Sequence, residues 1–108
     1  MGMGMRFTVL SSGSTGNATV VELGGTSILV DAGLSAKRLE ELFRERDVTP
    51  EHLSGILITH EHSDHIKGLG AMARKYKLPI YANEQTWSAM EKHVGKIEPE
   101  QRKIMETG

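Results

Sequence analysis

The chain has 108 residues, a formal net charge of −1 and no cysteine. This length suits one small domain, and the near-balanced charge excludes a global field that would draw the chain to nucleic acid or to a membrane. The lack of cysteine excludes disulfides and thiolate metal sites, and it is compatible with a reducing cytoplasm. No apolar run approaches the roughly 18–20 residues that span a bilayer, so we expect no membrane partner. Residues 1–4 are either a cloning remnant or an early translation start.

Strand patterns dominate the first third of the sequence. Residues 6–10 predict a strand, and residues 11–17 form a loop of turn-forming residues. Residues 18–23 predict a second strand rich in β-branched residues. The glycine pair at 24–25 then predicts a hairpin, and residues 26–31 predict a third, buried strand.

Helix and strand patterns alternate in the rest of the chain. Ser35 is a plausible N-cap for a helix whose apolar face is Ala36, Leu39, Leu42 and Phe43. The later predicted elements are a short turn at 49–50, a strand at 53–58, a helix at 66–76, a strand at 78–82 and a helix capped by Asn83. The order predicts an α/β (α+β) domain: a mixed sheet with helices on one face.

The most informative segment is residues 59–65, THEHSDH. Side chains alternate in an extended segment, so we expect His60, His62 and Asp64 on one side, and a turn at Asp64 would bring His65 beside them. Imidazoles and carboxylates are ligands of Zn²⁺ and other borderline divalent ions. The segment lies between a strand pattern and a helix pattern, where α/β proteins place their sites. It therefore predicts a metal site, and four ligands this close suit two ions, rather than a polar surface loop.

The other candidate ligands in the chain are weaker. His52 lies at the far end of the predicted strand, some 20 Å away at roughly 3.3 Å per residue, and His93 lies near a helix end, where a cation suits the dipole. Asp31 ends a buried strand. It either bonds to a ligand histidine and fixes the tautomer of that ring, or it is a turn-forming residue before Gly33.

Two segments carry a resemblance to a known family. The ILVDAG segment at 28–33 and the ILITHEHSDH segment at 56–65 resemble the metallo-β-lactamase superfamily, whose motif is H-x-H-x-D-H. The opening SSGSTGN at 11–17 is similar to the YycJ-like (WalJ) branch, whose members are cytoplasmic DNA exonucleases. The resemblance implies an αββα sandwich, of which residues 1–108 would be roughly the N-terminal half of a single domain.

The resemblance also implies roles for individual residues. His60 and His62 would hold a first divalent ion, and Asp64 and His65 a second, with Zn²⁺ or Mn²⁺ as the metals. Asp64 would also orient the attacking water as the catalytic residue. The later ligands of the family have no counterpart in residues 1–108, so we expect this piece to be inactive alone. We also expect one apolar sheet face to be covered by the remaining half of the domain or by self-association.

Two polar segments have competing interpretations. Residues Ser12, Gly13, Ser14, Thr15, Gly16 and Asn17 are either a phosphate-binding loop or an ordinary hairpin loop. Residues Lys67, Arg74, Lys75 and Lys77 either line a path for nucleic acid or form a solvated helix face.

Three functions stay open at this point. The first is a two-metal phosphodiesterase acting on DNA. The second is a hydrolase of the same fold that acts on small thioesters, lactones or phosphate esters. The third is a non-catalytic metal-binding module. The metal motif is common to all three, so it does not discriminate among them.

Overall fold

The structure, a computed structural model, describes residues 4–13, 16–60 and 62–105, apart from the side chains of Ser63 and Asp64. The strands in this part of the chain form one sheet in sequence order. They are β1 (Met5–Ser11), β2 (Ala18–Leu23), β3 (Thr26–Val30), β4 (Leu53–Leu57), β5 (Ile80–Ala82) and β6 (Arg102–Ile104). The first three are antiparallel, and β4, β5 and β6 join them in parallel.

Four α-helices lie in the described part of the chain. They are α1 (Ala36–Glu45), α2 (Ser63–Ile66), α3 (Leu69–Tyr76) and α4 (Glu84–Val94), with short 3-10 turns at Pro50–His52 and Pro99–Gln101. The predicted caps of α1 and α4 are present, because Ser35 and Asn83 accept hydrogen bonds from backbone N–H groups three residues later. None of these helices is long and apolar enough to cross a bilayer.

The helices connect successive parallel strands, and this places them on one face of the sheet. The connections from β3 to β4, β4 to β5 and β5 to β6 all step in the same direction. Because such crossovers are right-handed, their helices pack on the same side. The covered face carries a row of paired, buried residues on adjacent strands: Val20, Leu29, Ile56 and Ile80. The prediction of a mixed α/β sheet with helices on one face is therefore confirmed.

The opposite face of the sheet has no helix among the described residues. Its side chains alternate with those of the covered face. On β1 and β2 they include Met5, Phe7, Val9 and Leu23, which are all exposed. We call this apolar surface the open face.

Two parts of the fold differ from the sequence prediction. The helix predicted at 66–76 is two helices, because Gly68 breaks it and donates its N–H to Ala32 O at 2.8 Å. Strand β6 was not predicted. Its residues Arg102, Lys103 and Ile104 are exposed and lack an apolar alternation, and the strand exists because it pairs with β5.

Candidate metal centre

Three histidine rings lie together beyond the C-terminal end of β4. The ring centroids of His60 and His65 are 4.8 Å apart, and those of His60 and His62 are 6.1 Å apart. His60 and His62 are exposed, whereas the His65 side chain retains 16% of its accessible surface. The structure thus brings together three of the four predicted ligands.

A reversal of the chain after His62 places His65 in this group. His62 is extended, with φ −69° and ψ 151°, and its carbonyl accepts the His65 N–H at 2.8 Å. The expected alternation therefore ends at His62: Asp64 lies in the first turn of α2 and does not continue an extended segment. The side chain of Asp64 and the whole of Glu61 lie outside the described residues.

Backbone hydrogen bonds hold the His65 turn against the loop that follows β3. Ala32 N–H donates to His65 O at 2.7 Å, and Gly68 N–H donates to Ala32 O at 2.8 Å. Gly68 allows this approach because a Cβ at its position would lie 2.2 Å from Leu34 O. The backbone that carries His65 is thereby fixed relative to Asp31.

Asp31 connects this loop to the histidines through its side chain. It is 6% exposed, and its carboxylate accepts bonds from Thr59 N–H at 2.8 Å, Thr59 Oγ1 at 2.7 Å and His65 Nδ1 at 2.8 Å. Its backbone has φ 64°, a conformation that Asp adopts more readily than most residues. The two interpretations of Asp31 are therefore compatible: it turns the chain, and it bonds to a candidate ligand.

The loop between β1 and β2 reaches the same edge of the sheet. Asn17 Nδ2 lies 3.5 Å from His65 Nε2, and the Asn17 side chain also exchanges hydrogen bonds with the backbone of Gly13. Gly16 N–H donates to Gly13 O at 3.3 Å. Two amides of the predicted phosphate loop thus have partners inside the loop, which favours the hairpin interpretation. Ser14 and Thr15 lie outside the described residues.

The other histidines and several basic residues lie elsewhere. His52 is exposed in the 3-10 turn before β4, and His93 is exposed in the last turn of α4. Of the residues predicted to line a nucleic-acid path, Arg74 donates to Val94 O at 2.6 Å and Lys75 pairs with Glu40 at 2.5 Å. These two contacts favour a structural role for both cations.

The donor chemistry of the three rings fits a borderline divalent ion. Imidazole nitrogens are common zinc ligands, and a carboxylate on the second ring nitrogen is the usual support for such a ligand. Among the side chains that the structure describes, no group of three already surrounds one point as ligands would. The rings of His60 and His62 are exposed, and Asp64 is not among the described side chains.

The sequence profile of the metallo-beta-lactamase superfamily matches residues 12–105, and the chain belongs to this superfamily. Membership implies that the protein binds divalent metal. Solved structures agree with the fold: the chain superposes on a B3 metallo-beta-lactamase with an active-site glutamic acid at a TM-score of 0.67 and 23% identity. That match covers 78% of this chain and 32% of the other.

Two curated relatives are much closer in sequence. The chain is 56% identical over 106 residues to the exodeoxyribonuclease YycJ of Bacillus anthracis. It is 50% identical over 108 residues to the exodeoxyribonuclease WalJ of Streptococcus pneumoniae serotype 2. Each match covers 98% of this chain, which spans only 40% of the length of either relative.

Sequence reasoning missed one residue of this region, Thr59. Its hydroxyl lies 2.7 Å from Asp31 Oδ2 and 3.0 Å from His60 Nδ1. The only signal in the sequence was a hydroxyl side chain directly before the first histidine of the motif.

Proposed function

We propose that the complete protein carrying this chain is a two-metal phosphodiesterase that acts as a DNA exonuclease. The observation that carries the proposal is the group of three histidine rings beside the buried Asp31 carboxylate. This group occurs in a chain that is 56% identical, along nearly its whole length, to a protein named as an exodeoxyribonuclease. Because the chain spans 40% of that relative, the activity belongs to the proposal.

Each residue has a distinct part in this proposal. His60 and His62 would hold one ion through ring nitrogens, and His65 would hold a second together with Asp64. Asp31 keeps a proton on Nδ1 of His65, so that Nε2 is the nitrogen of that ring that would bind the metal. Asp64 also orients the attacking water. The assignment of Asp64 rests on its place in the H-x-H-x-D-H motif.

Divalent ions at this site, Zn²⁺ or Mn²⁺, would supply Lewis acidity, which lowers the pKa of water from about 15.7 toward about 7 and neutralises charge on a phosphodiester. The protein contributes the geometry. The His65 turn is tied to the Asp31 loop by backbone bonds, so one ligand is held in place before metal arrives.

The test is exonuclease activity of the complete protein on linear DNA with saturating metal. His60→Ala and Asp64→Ala should each lower turnover by orders of magnitude, because each removes a ligand of the metal centre. His52→Ala is the matched control, since it makes the same chemical change at an exposed histidine at the opposite end of β4. It should leave turnover unchanged.

Full activity in Asp64→Ala would remove the assigned role of that residue. Hydrolysis of thioesters without any cleavage of DNA would instead support a small-molecule hydrolase. Neither activity, in a protein that still binds metal, would favour the non-catalytic metal-binding module.

A further inference from the structure

Thr59 lies between the buried carboxylate and a second histidine. Its hydroxyl oxygen is 2.7 Å from Asp31 Oδ2 and 3.0 Å from His60 Nδ1, and its backbone N–H donates to Asp31 Oδ1 at 2.8 Å. Asp31 is also bonded to His65 Nδ1 at 2.8 Å. One carboxylate therefore connects to two of the three rings, to His65 directly and to His60 through Thr59.

The number of protons fixes the direction of these bonds. A carboxylate only accepts, so the single proton of the Thr59 hydroxyl points toward Asp31. The hydroxyl oxygen can then only accept from His60. The proton of the 3.0 Å contact must therefore reside on His60 Nδ1, and in the neutral ring the lone pair is then on Nε2.

The same reasoning applies to His65. Its Nδ1 faces Asp31 Oδ2, so that nitrogen carries a proton, and in the neutral ring Nε2 keeps the lone pair. Both rings are thus in the same tautomer, although they reach the carboxylate by different routes.

We propose that Thr59 is a positioning residue that extends the Asp31 carboxylate to His60, so that one buried acid fixes two candidate ligands as Nε2 donors. The functional role of Thr59 rests on the proposed metal centre. The tautomers can be measured in the metal-free protein. His62 takes no part in the described bonds of this network, so its ring serves as an internal reference.

The setting of each group determines how large the effect should be. Asp31 is buried, whereas Thr59 and His60 are exposed, so water competes for the hydroxyl–imidazole bond. Loss of a group that supports a metal ligand typically costs about 10–100-fold in affinity. We expect Thr59 variants to fall within this range and to stay short of the loss caused by removing a ligand.

The experiment uses the complete protein and two variants. Thr59→Val removes the hydroxyl and keeps the backbone bond to Asp31, and Thr59→Ser keeps both. Long-range ¹H–¹⁵N NMR on the metal-free proteins reports the tautomer of each ring. Wild type and Thr59→Ser should show His60 protonated on Nδ1. Thr59→Val should show a mixture at His60, with His65 and His62 unchanged.

Zinc titration against a competing chelator supplies the second measurement. Thr59→Val should lose roughly 10–100-fold in zinc affinity, and Thr59→Ser should recover most of it. If wild-type His60 is protonated on Nε2, the inference is wrong whatever the variants do, including a variant that does not fold. It is also wrong if Thr59→Val keeps both the tautomer and the affinity. Failure of the wild-type protein to bind either zinc or manganese, with the expected tautomers present, would overturn the proposed function and leave the positioning role of Thr59 supported.

Discussion

The two faces of the sheet differ in what covers them and in what they hold in place. The covered face packs against α1, α3 and α4, and its central residues Leu29, Ile56 and Ile80 are fully buried. The open face exposes Phe7 and Val9 at 63% and 50%. The difference matters for the site, because the loops that carry Asp31 and the histidines lead from β3 into α1 and from β4 into α2.

These loops explain how the histidines are held together in the described part of the chain. Asp31 lies between β3 and α1, and His60 and His62 lie between β4 and α2. Packing of the helices fixes the ends of both loops, and the Ala32–His65 backbone bond joins them. The described bonds of the candidate site therefore involve loops that join the sheet to its helices.

The largest expected effect is a difference in the free energy of unfolding between a substitution on the covered face and one on the open face. In polypeptide 1–108, Ile56→Ala should lower the free energy of unfolding by about 2–5 kcal/mol, because it leaves a cavity in the core. Phe7→Thr replaces an aromatic residue with a β-branched one that also suits a strand, and it should change that free energy by no more than about 0.5 kcal/mol because Phe7 is already exposed. Denaturant unfolding measures both, at a protein concentration low enough to keep the polypeptide monomeric.

The same variant tests what the open face does in solution. We expect polypeptide 1–108, studied alone, to self-associate through this apolar surface, and Phe7→Thr to weaken the association. Light scattering over a range of concentrations gives the result. A wild-type polypeptide that stays a monomer at high concentration would contradict the distinction between the faces. Equal losses in the free energy of unfolding for Ile56→Ala and Phe7→Thr would also contradict it.

A smaller effect on the free energy of unfolding is expected at the contact between α1 and α3, two of the helices that cover the sheet. Hydrogen bonds from Lys75 and then Tyr76 hold the pKa of Glu40 below its usual value of 4.5. A carboxyl with a lowered pKa stabilises the fold above its unfolded-state pKa and loses that contribution as the pH falls through the folded-state value. Glu40→Gln should therefore cost roughly 0.5 kcal/mol at pH 7, and the difference from wild type should shrink below about pH 4.5.

The control for this prediction is Glu41→Gln on the same helix. Glu41 pairs at 3.1 Å with Arg38, and both side chains are more exposed than Glu40, so the cost should be smaller. A Glu40→Gln cost that grows on acidification would contradict the assigned sign. Thermal unfolding of wild type and both variants between pH 3 and pH 7 decides it.

Most of the fold could be predicted because its patterns are local. The β-branched strands, the glycine pair at 24–25 and the caps Ser35 and Asn83 each specify their own element. The break at Gly68 could not be predicted, because its cause is a contact with the backbone of Ala32 and Leu34, far away in sequence. Strand β6 depends in the same way on its neighbour β5.

The candidate site, like the fold, could be predicted only where its pattern is local. Spacing in the motif identified His60, His62, Asp64 and His65, and their role as ligands stays a prediction. The hydrogen bonds among Asp31, Thr59 and His65 span 28 and 34 positions, and no local pattern encodes such distances. The sequence could not decide whether Asp31 forms a turn or bonds to a histidine. The structure shows that it does both.

The central claim is that the histidines of residues 60–65 form a metal centre, and crystallography of the complete protein grown with zinc tests it most directly. Anomalous diffraction at the zinc edge should place an ion about 2.0–2.2 Å from ring nitrogens of His60 and His62, with a ligand bond from His65 to the same or a second ion. Zinc bound only at His52 or His93, or rings at 60, 62 and 65 without a metal peak at saturating zinc, would contradict it.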